Sequence, residues 1–85
     1  MMKINYRYYT DELIYLMYNY NLADFKENAR VLGHKLNRLG GVNALFNTID
    51  VLMETFDREN YSDHYLNYLR DLEFSWSGIN PDFQA

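Results

Sequence analysis

Cysteine is absent, proline occurs once (Pro81) and glycine only four times in 85 residues. Without cysteine there is no disulfide to staple the fold and no thiolate to hold a metal, two reinforcements on which small domains often rely. With the single proline near the end, nothing of that kind interrupts a helix between Thr10 and Trp76. No stretch approaches the roughly 20 apolar residues of a membrane span. Met1-Met2-Lys3-Ile4-Asn5 lacks the apolar run of a secretion signal, so a cytoplasmic location and no membrane partner are expected. Positive charge is also scarce. Eight Lys and Arg face twelve Asp and Glu, a net charge of −4, and a general nucleic-acid binder would be basic.

Aromatic residues are abundant at 18%, nine of them tyrosine. A chain this short is expected to form one domain, residues 1–85, that buries roughly 60–65% of the surface exposed by its unfolded state. Dense aromatic packing or self-association is then needed to hold it together. Charge is uneven along the chain. Residues 1–48 carry six bases against four acids, a net of +2, while residues 49–85 carry two bases against eight acids, a net of −6. Such a chain can pair with itself or offer an acidic face to a basic partner.

The periodicity predicts an all-α fold, a small three- to four-helix bundle with a short N-terminal arm. Leu22, Phe25, Ala29, Leu32, Leu36 and Leu39 step by three and four and form one stripe. Asn21 can cap this helix, and Gly40 is expected to supply the left-handed residue that ends it. Val42, Leu45, Ile49, Leu52 and Phe56 repeat the spacing, with Phe46 and Met53 widening the stripe. A third helix is expected from about Tyr61 to Trp76, capped by Asn60 or Ser62, on the stripe Tyr61, Tyr65, Leu69, Leu72 and Trp76. Ser77-Gly78 would end it, with Ile79 packing back. At the front, Thr10, Asp11 and Glu12 read as a helix start, leaving residues 1–9 as an arm, although Ile4, Tyr6 and Tyr8 alternate with Asn5 and Arg7 as a short strand would, and Tyr6, Tyr9, Leu13, Leu16 and Tyr20 also fit helical spacing. Residues 80–85 are expected to be a flexible tail.

Constellations for chemistry are not found. The two histidines, His34 and His64, fall on different helices, and no HExxH pattern exists. The acidic run from Asp57 to Asp63 places Ser62 and Tyr68 where an EF-hand loop wants glycine and glutamate. There is no GxSxG and no phosphate-binding glycine loop around Gly40-Gly41. No catalytic, cofactor or metal residue is assigned.

Two surface features remain. Lys26, Arg30, His34 and Arg38 step by four along one helix face, ahead of a passable helix-turn-helix pattern. The following helix offers Asn43, Asn47, Thr48, Asp50 and Glu54, with no lysine or arginine between Arg38 and Arg58. A recognition helix needs positive charge against phosphate. A solvated basic face, partly paired with Glu27, explains the stripe more simply. Tyr6, Tyr8, Tyr9, Tyr15 and Tyr18, joined by Tyr20, are more tyrosines than one helix can bury. The excess marks a contact surface for a protein or a second copy, although codon bias in an AT-rich genome would supply the same tyrosines.

The segment Ala29-Arg30-x-x-Gly33-x-x-Leu36-Asn37-x-x-Gly40-Gly41, with Leu72-x-x-x-Trp76-x-Gly78-Ile79 later, resembles a family of short uncharacterised bacterial proteins. That family shares an ARxxGxxLNxxGG segment and a terminal WxGI segment and is often found in mobile-element neighbourhoods. The likeness spans residues 29–79 and implies no activity or ligand. It departs after Ile79, where the family has a second tryptophan and this chain has Asn80-Pro81-Asp82-Phe83. In all, the expected function is a non-enzymatic, protein-binding accessory or inhibitory factor of a phage or mobile element that also forms a homo-oligomer. The rival is a small helix-turn-helix-like DNA-binding regulator. A further rival is an enzyme subunit or small-ligand binder with a cleft that composition does not reveal.

Overall fold

The computed structural model describes residues 3–59 and 64–83, and all regular structure in them is helical. The helices are α1 (Tyr6–Asn19), α2 (Leu22–Glu59) and α3 (His64–Ser77). The bundle thus has three helices among the described residues, the lower end of the expected range. The expected start of the third helix, Asn60 to Asp63, lies outside them.

Helix α1 begins four residues before the expected Thr10. Asn5 caps it, its side-chain Oδ1 accepting the Tyr8 N–H at 3.2 Å. The physical reason is burial: Tyr9 and Thr10 fall on the inward face with Leu13, Leu16 and Met17. An arm running to residue 9 would leave Tyr9 in water. The arm is therefore shorter than expected. Only Tyr20 and Asn21 join α1 to α2, and the Asn21 side chain caps α2 as expected, accepting the Asp24 N–H at 2.9 Å.

Helix α2 is bent. Gly41 has φ 66° and ψ −156°, which splits the element into arms of residues 22–40 and 42–59. The break falls one residue later than expected. Only glycine tolerates this backbone geometry without strain. Gly40 instead makes room for the N-terminus, since a Cβ there would stand 2.8 Å from Ile4 Cδ1 and 3.0 Å from Ala44 Cβ. Ile4 against Gly40, with the Lys35 ammonium 5.9 Å from the Tyr9 ring centre, sets α1 antiparallel to the first arm.

Helix α3 lies against both arms. Tyr68 meets Phe25 edge-on at 5.0 Å, and the Trp76 indole N–H donates to the Ala29 carbonyl at 2.9 Å, so α3 runs parallel to the first arm. Phe56 near Tyr65 and Phe46 near Phe83 make it antiparallel to the second. The Tyr68 hydroxyl donates to the Tyr20 carbonyl at 3.0 Å and ties α3 to the end of α1. Gly33 lets α3 come close: a Cβ there would collide with the Trp76 indole and stand 2.6 Å from Ile79 Cδ1.

Of the stripe residues, Phe25, Ala29, Leu36, Leu45, Ile49, Leu52, Phe56, Leu69, Leu72 and Trp76 are buried, and Leu32, Val42, Phe46 and Tyr65 are half-buried against them. The stripe ends are exposed: Leu22 opens its helix and Leu39 sits beside the bend. Met53, expected to widen the second stripe, also faces solvent. The tail departs from expectation. The Phe83 N–H donates to the Asn80 carbonyl at 3.0 Å across a turn with Pro81 in its second position, and the Asn80 side chain reaches Asn37 at 2.9 Å. That turn drives Phe83 into the core, stacked on Phe46 at 4.6 Å. The segment from Asn80 to Phe83 is thus packed, not a flexible tail, because ring burial acts together with the turn hydrogen bond and the Asn80–Asn37 contact.

Leu36 is fully buried, and Leu36→Ala is expected to lower unfolding free energy by about 2–5 kcal/mol. Thermal melts followed by circular dichroism check this, and an unchanged midpoint would contradict the burial. The Thr10 hydroxyl is buried without a hydrogen-bond partner among the described residues. Thr10→Val is therefore expected to stabilise the fold by about 1 kcal/mol, a gain that urea titration resolves.

Candidate functional site

The tyrosines of α1 divide by helical phase. Leu13, Leu16 and Met17 define its inward face, and Tyr9 shares it at 8% exposure. Tyr6 is half-buried, its hydroxyl accepting a hydrogen bond from the Asn47 side-chain amide at 3.3 Å. These two belong chiefly to the packing, with Tyr9 also forming part of the groove floor. Tyr8, Tyr15 and Tyr18 remain exposed, at 57%, 57% and 63%. Tyr18 also meets the ring of Tyr65 at 5.5 Å, which orients it at the α1–α3 edge.

The first arm of α2 extends the tyrosine surface. Val31, Lys35 and Leu39 recur every four residues along one side, with Val31 65% and Leu39 43% exposed. Between them and α1 lies a shallow groove of about 320 Å³ lined by Tyr8, Tyr9, Leu16, Val31, Leu32 and Lys35. A second depression of about 280 Å³ continues past Tyr8 and Tyr9 to Ile4 and Leu39. The excess of tyrosine is what marks these residues in the sequence. Val31 was missed because it falls outside the 3-4 stripe, although that position was itself the available signal.

On the other side of the first arm, Lys26, Arg30, His34 and Arg38 are all exposed. The structure brings Lys26, Arg30 and His34 together with Glu27 at a groove of about 580 Å³ closed by Phe74, Ser75, Gly78 and Ile79 of the α3 end. Arg38 lies beyond it. The expected pairing of these cations with Glu27 is not formed. Among the described residues the ion pairs are Arg7 with Asp11 at 3.7 Å and Arg58 with Glu54 at 3.5 Å, both elsewhere. Phe74, 75% exposed at the groove lip, was also missed, though it is out of phase with Leu69, Leu72 and Trp76. The second arm presents Asn43, Asn47, Asp50, Met53, Glu54 and Asp57 to solvent.

Among the described residues no three His, Asp or Glu side chains converge as a metal site would require, and no helix is long and apolar enough to cross a membrane. The side chain of His64 lies outside the description. Partial burial beside Leu66, Leu69 and Phe74 raises the Glu73 carboxyl above its ordinary value. No protein-family model matches the chain, and neither the curated proteins nor the solved structures contain a match.

The Glu73 shift fixes a sign. A carboxyl whose pKa is higher in the folded state binds protons more readily there. Stability therefore falls as pH rises from the unfolded value through the folded one. Glu73→Gln is expected to raise the melting midpoint at pH 7 relative to its effect below pH ~4. Paired melts at the two pH values check this, and a lower relative midpoint at pH 7 would contradict it.

Proposed function

We propose that the chain is a non-enzymatic, protein-binding accessory or inhibitory factor acting in the cytoplasm. The observation that carries this reading is the apolar surface across the α1–α2 seam: Tyr8 and Tyr15 on one helix, Val31 and Leu39 on the next, all at least 43% exposed. Exposed single hydrophobic side chains are ordinary, but Tyr8, Val31 and Leu39 border the two grooves of this seam, and such clustering is typical of contact surfaces. Tyrosine supplies a large rigid face with a polar tip, suited to a surface that is wet when free and dry when bound. The resemblance of residues 29–79 to proteins of mobile-element neighbourhoods fits a small factor directed at a host or element protein. No cofactor is called for by this reading.

The regulator reading draws on the exposed Lys26, Arg30, His34 and Arg38. Against it, the second arm offers acids where a recognition helix would meet phosphate. Nucleic acid is accordingly not the proposed partner.

Affinity capture from the source cells, compared between the native chain and a Tyr8→Ser/Val31→Ser variant, tests the proposal. One partner retained by the native chain is expected to bind the variant at least about tenfold more weakly, a loss of roughly 1.4 kcal/mol. Equal capture by both, or a shift of promoter DNA abolished by Arg30→Glu, would overturn it.

A further inference from the structure

The two arms of α2 carry opposite charge. Residues 22–40 hold Lys26, Arg30, Lys35 and Arg38 against Asp24 and Glu27, a net of +2. Residues 42–59 hold Asp50, Glu54, Asp57 and Glu59 against Arg58, a net of −3. Only part of each set shares a face with an exposed apolar side chain. Phe74 borders Lys26, Arg30 and His34 in a groove that also holds Glu27, leaving it a net of +1 with His34 neutral, while Met53, 47% exposed, sits between Asp50 and Asp57.

The spacings correspond. Lys26, Arg30 and His34 rise by about 6 Å per step along their helix, as do Asp50 and Glu54, with Asp57 about 4.5 Å further. Among the described residues the ion pairs are the exposed Glu54–Arg58 pair and one on α1, and neither engages Lys26, Arg30, His34, Asp50 or Asp57.

We propose that the basic groove of one copy receives the acidic second arm of another, with Met53 of the incoming arm against Phe74. The charges steer and orient, and the sulfur–aromatic contact with its surrounding apolar area supplies the close packing. Isolated surface ion pairs are worth little, so the association is weak and strongly salt-dependent. This surface is separate from the tyrosine seam, and the inference does not rest on the reading given to that seam. About a two-fold axis the contact would form twice, each copy both giving and receiving.

Sedimentation velocity on the full chain decides the matter. At about 0.1 M salt charge acts over roughly 10 Å, so the long-range repulsion between two copies is damped while the contact attraction survives. At about 1 M the range falls to roughly 3 Å. The expected result is association at the lower salt, lost at the higher. Lys26→Glu/Arg30→Glu and Asp50→Lys/Glu54→Lys variants are each expected to weaken it at least about tenfold. An equimolar mixture of the two variants restores association between unlike copies, one contact being native and the other having its charges reversed. Phe74→Ser weakens it without changing the salt response. All these positions are exposed, and circular dichroism melts check that the variants stay folded. Should a variant unfold, the salt response of the native chain decides alone. A monomer at every concentration would overturn the proposal. So would association indifferent to salt and to charge reversal, which would assign self-contact to the tyrosines.

Discussion

The seating of Trp76 over Gly33 is the contact on which the rest of the arrangement depends. The indole is fully buried, its N–H is satisfied by the Ala29 carbonyl, and the missing Cβ of Gly33 is what permits that approach. A buried indole nitrogen without an acceptor costs about 1–3 kcal/mol, so ring and glycine are useful only together. Once they meet, the path of the following chain is set. Ile79 closes over Gly33, Asn80 reaches Asn37, and Phe83 fills the space between Trp76 and Phe46. The lip of the basic groove, Phe74 to Ile79, is held by the same anchor.

Periodicity was a reliable guide wherever a helix has one buried face, and it located the inner side of both α2 arms with Leu36, Leu45 and Leu52. It was weaker where two signals overlapped. The residues before Thr10 alternate as a strand would and also step as a helix would, and only the packing of Ile4 on Gly40, Tyr9 beside Lys35 and Tyr6 against Asn47 decides between them. Phe83 was illegible for another reason. A lone aromatic after a Pro81 turn has no periodicity, and its burial depends on a space that exists only once Phe46 and Trp76 are in place. For the surfaces, residue type identified Tyr8, Tyr15, Tyr18 and the basic face. Phase errors hid Val31 and Phe74, which complete the two grooves.

The two faces of the first arm divide the labour of this small molecule. One carries apolar side chains against α1, the other carries cations against α3, and Ala29, Gly33 and Leu36 between them are buried. A helix flanked on both sides has little left to present, which explains why its exposed residues recur every four positions in separate rows. The second arm contributes acids instead. The Gly41 bend therefore separates regions of opposite charge within a single element.

The Trp76–Ala29 bond also bears on how the molecule assembles in time. Its ends are 47 residues apart, whereas α1 meets the first arm across a two-residue connection. Closing the larger loop costs more chain entropy, so the α1–α2 hairpin is favoured to form early and α3 to dock afterwards. Trp76 is the only tryptophan, and it lies at that late contact. Its fluorescence is consequently a built-in clock for the docking step, readable apart from helix formation, which far-ultraviolet dichroism follows.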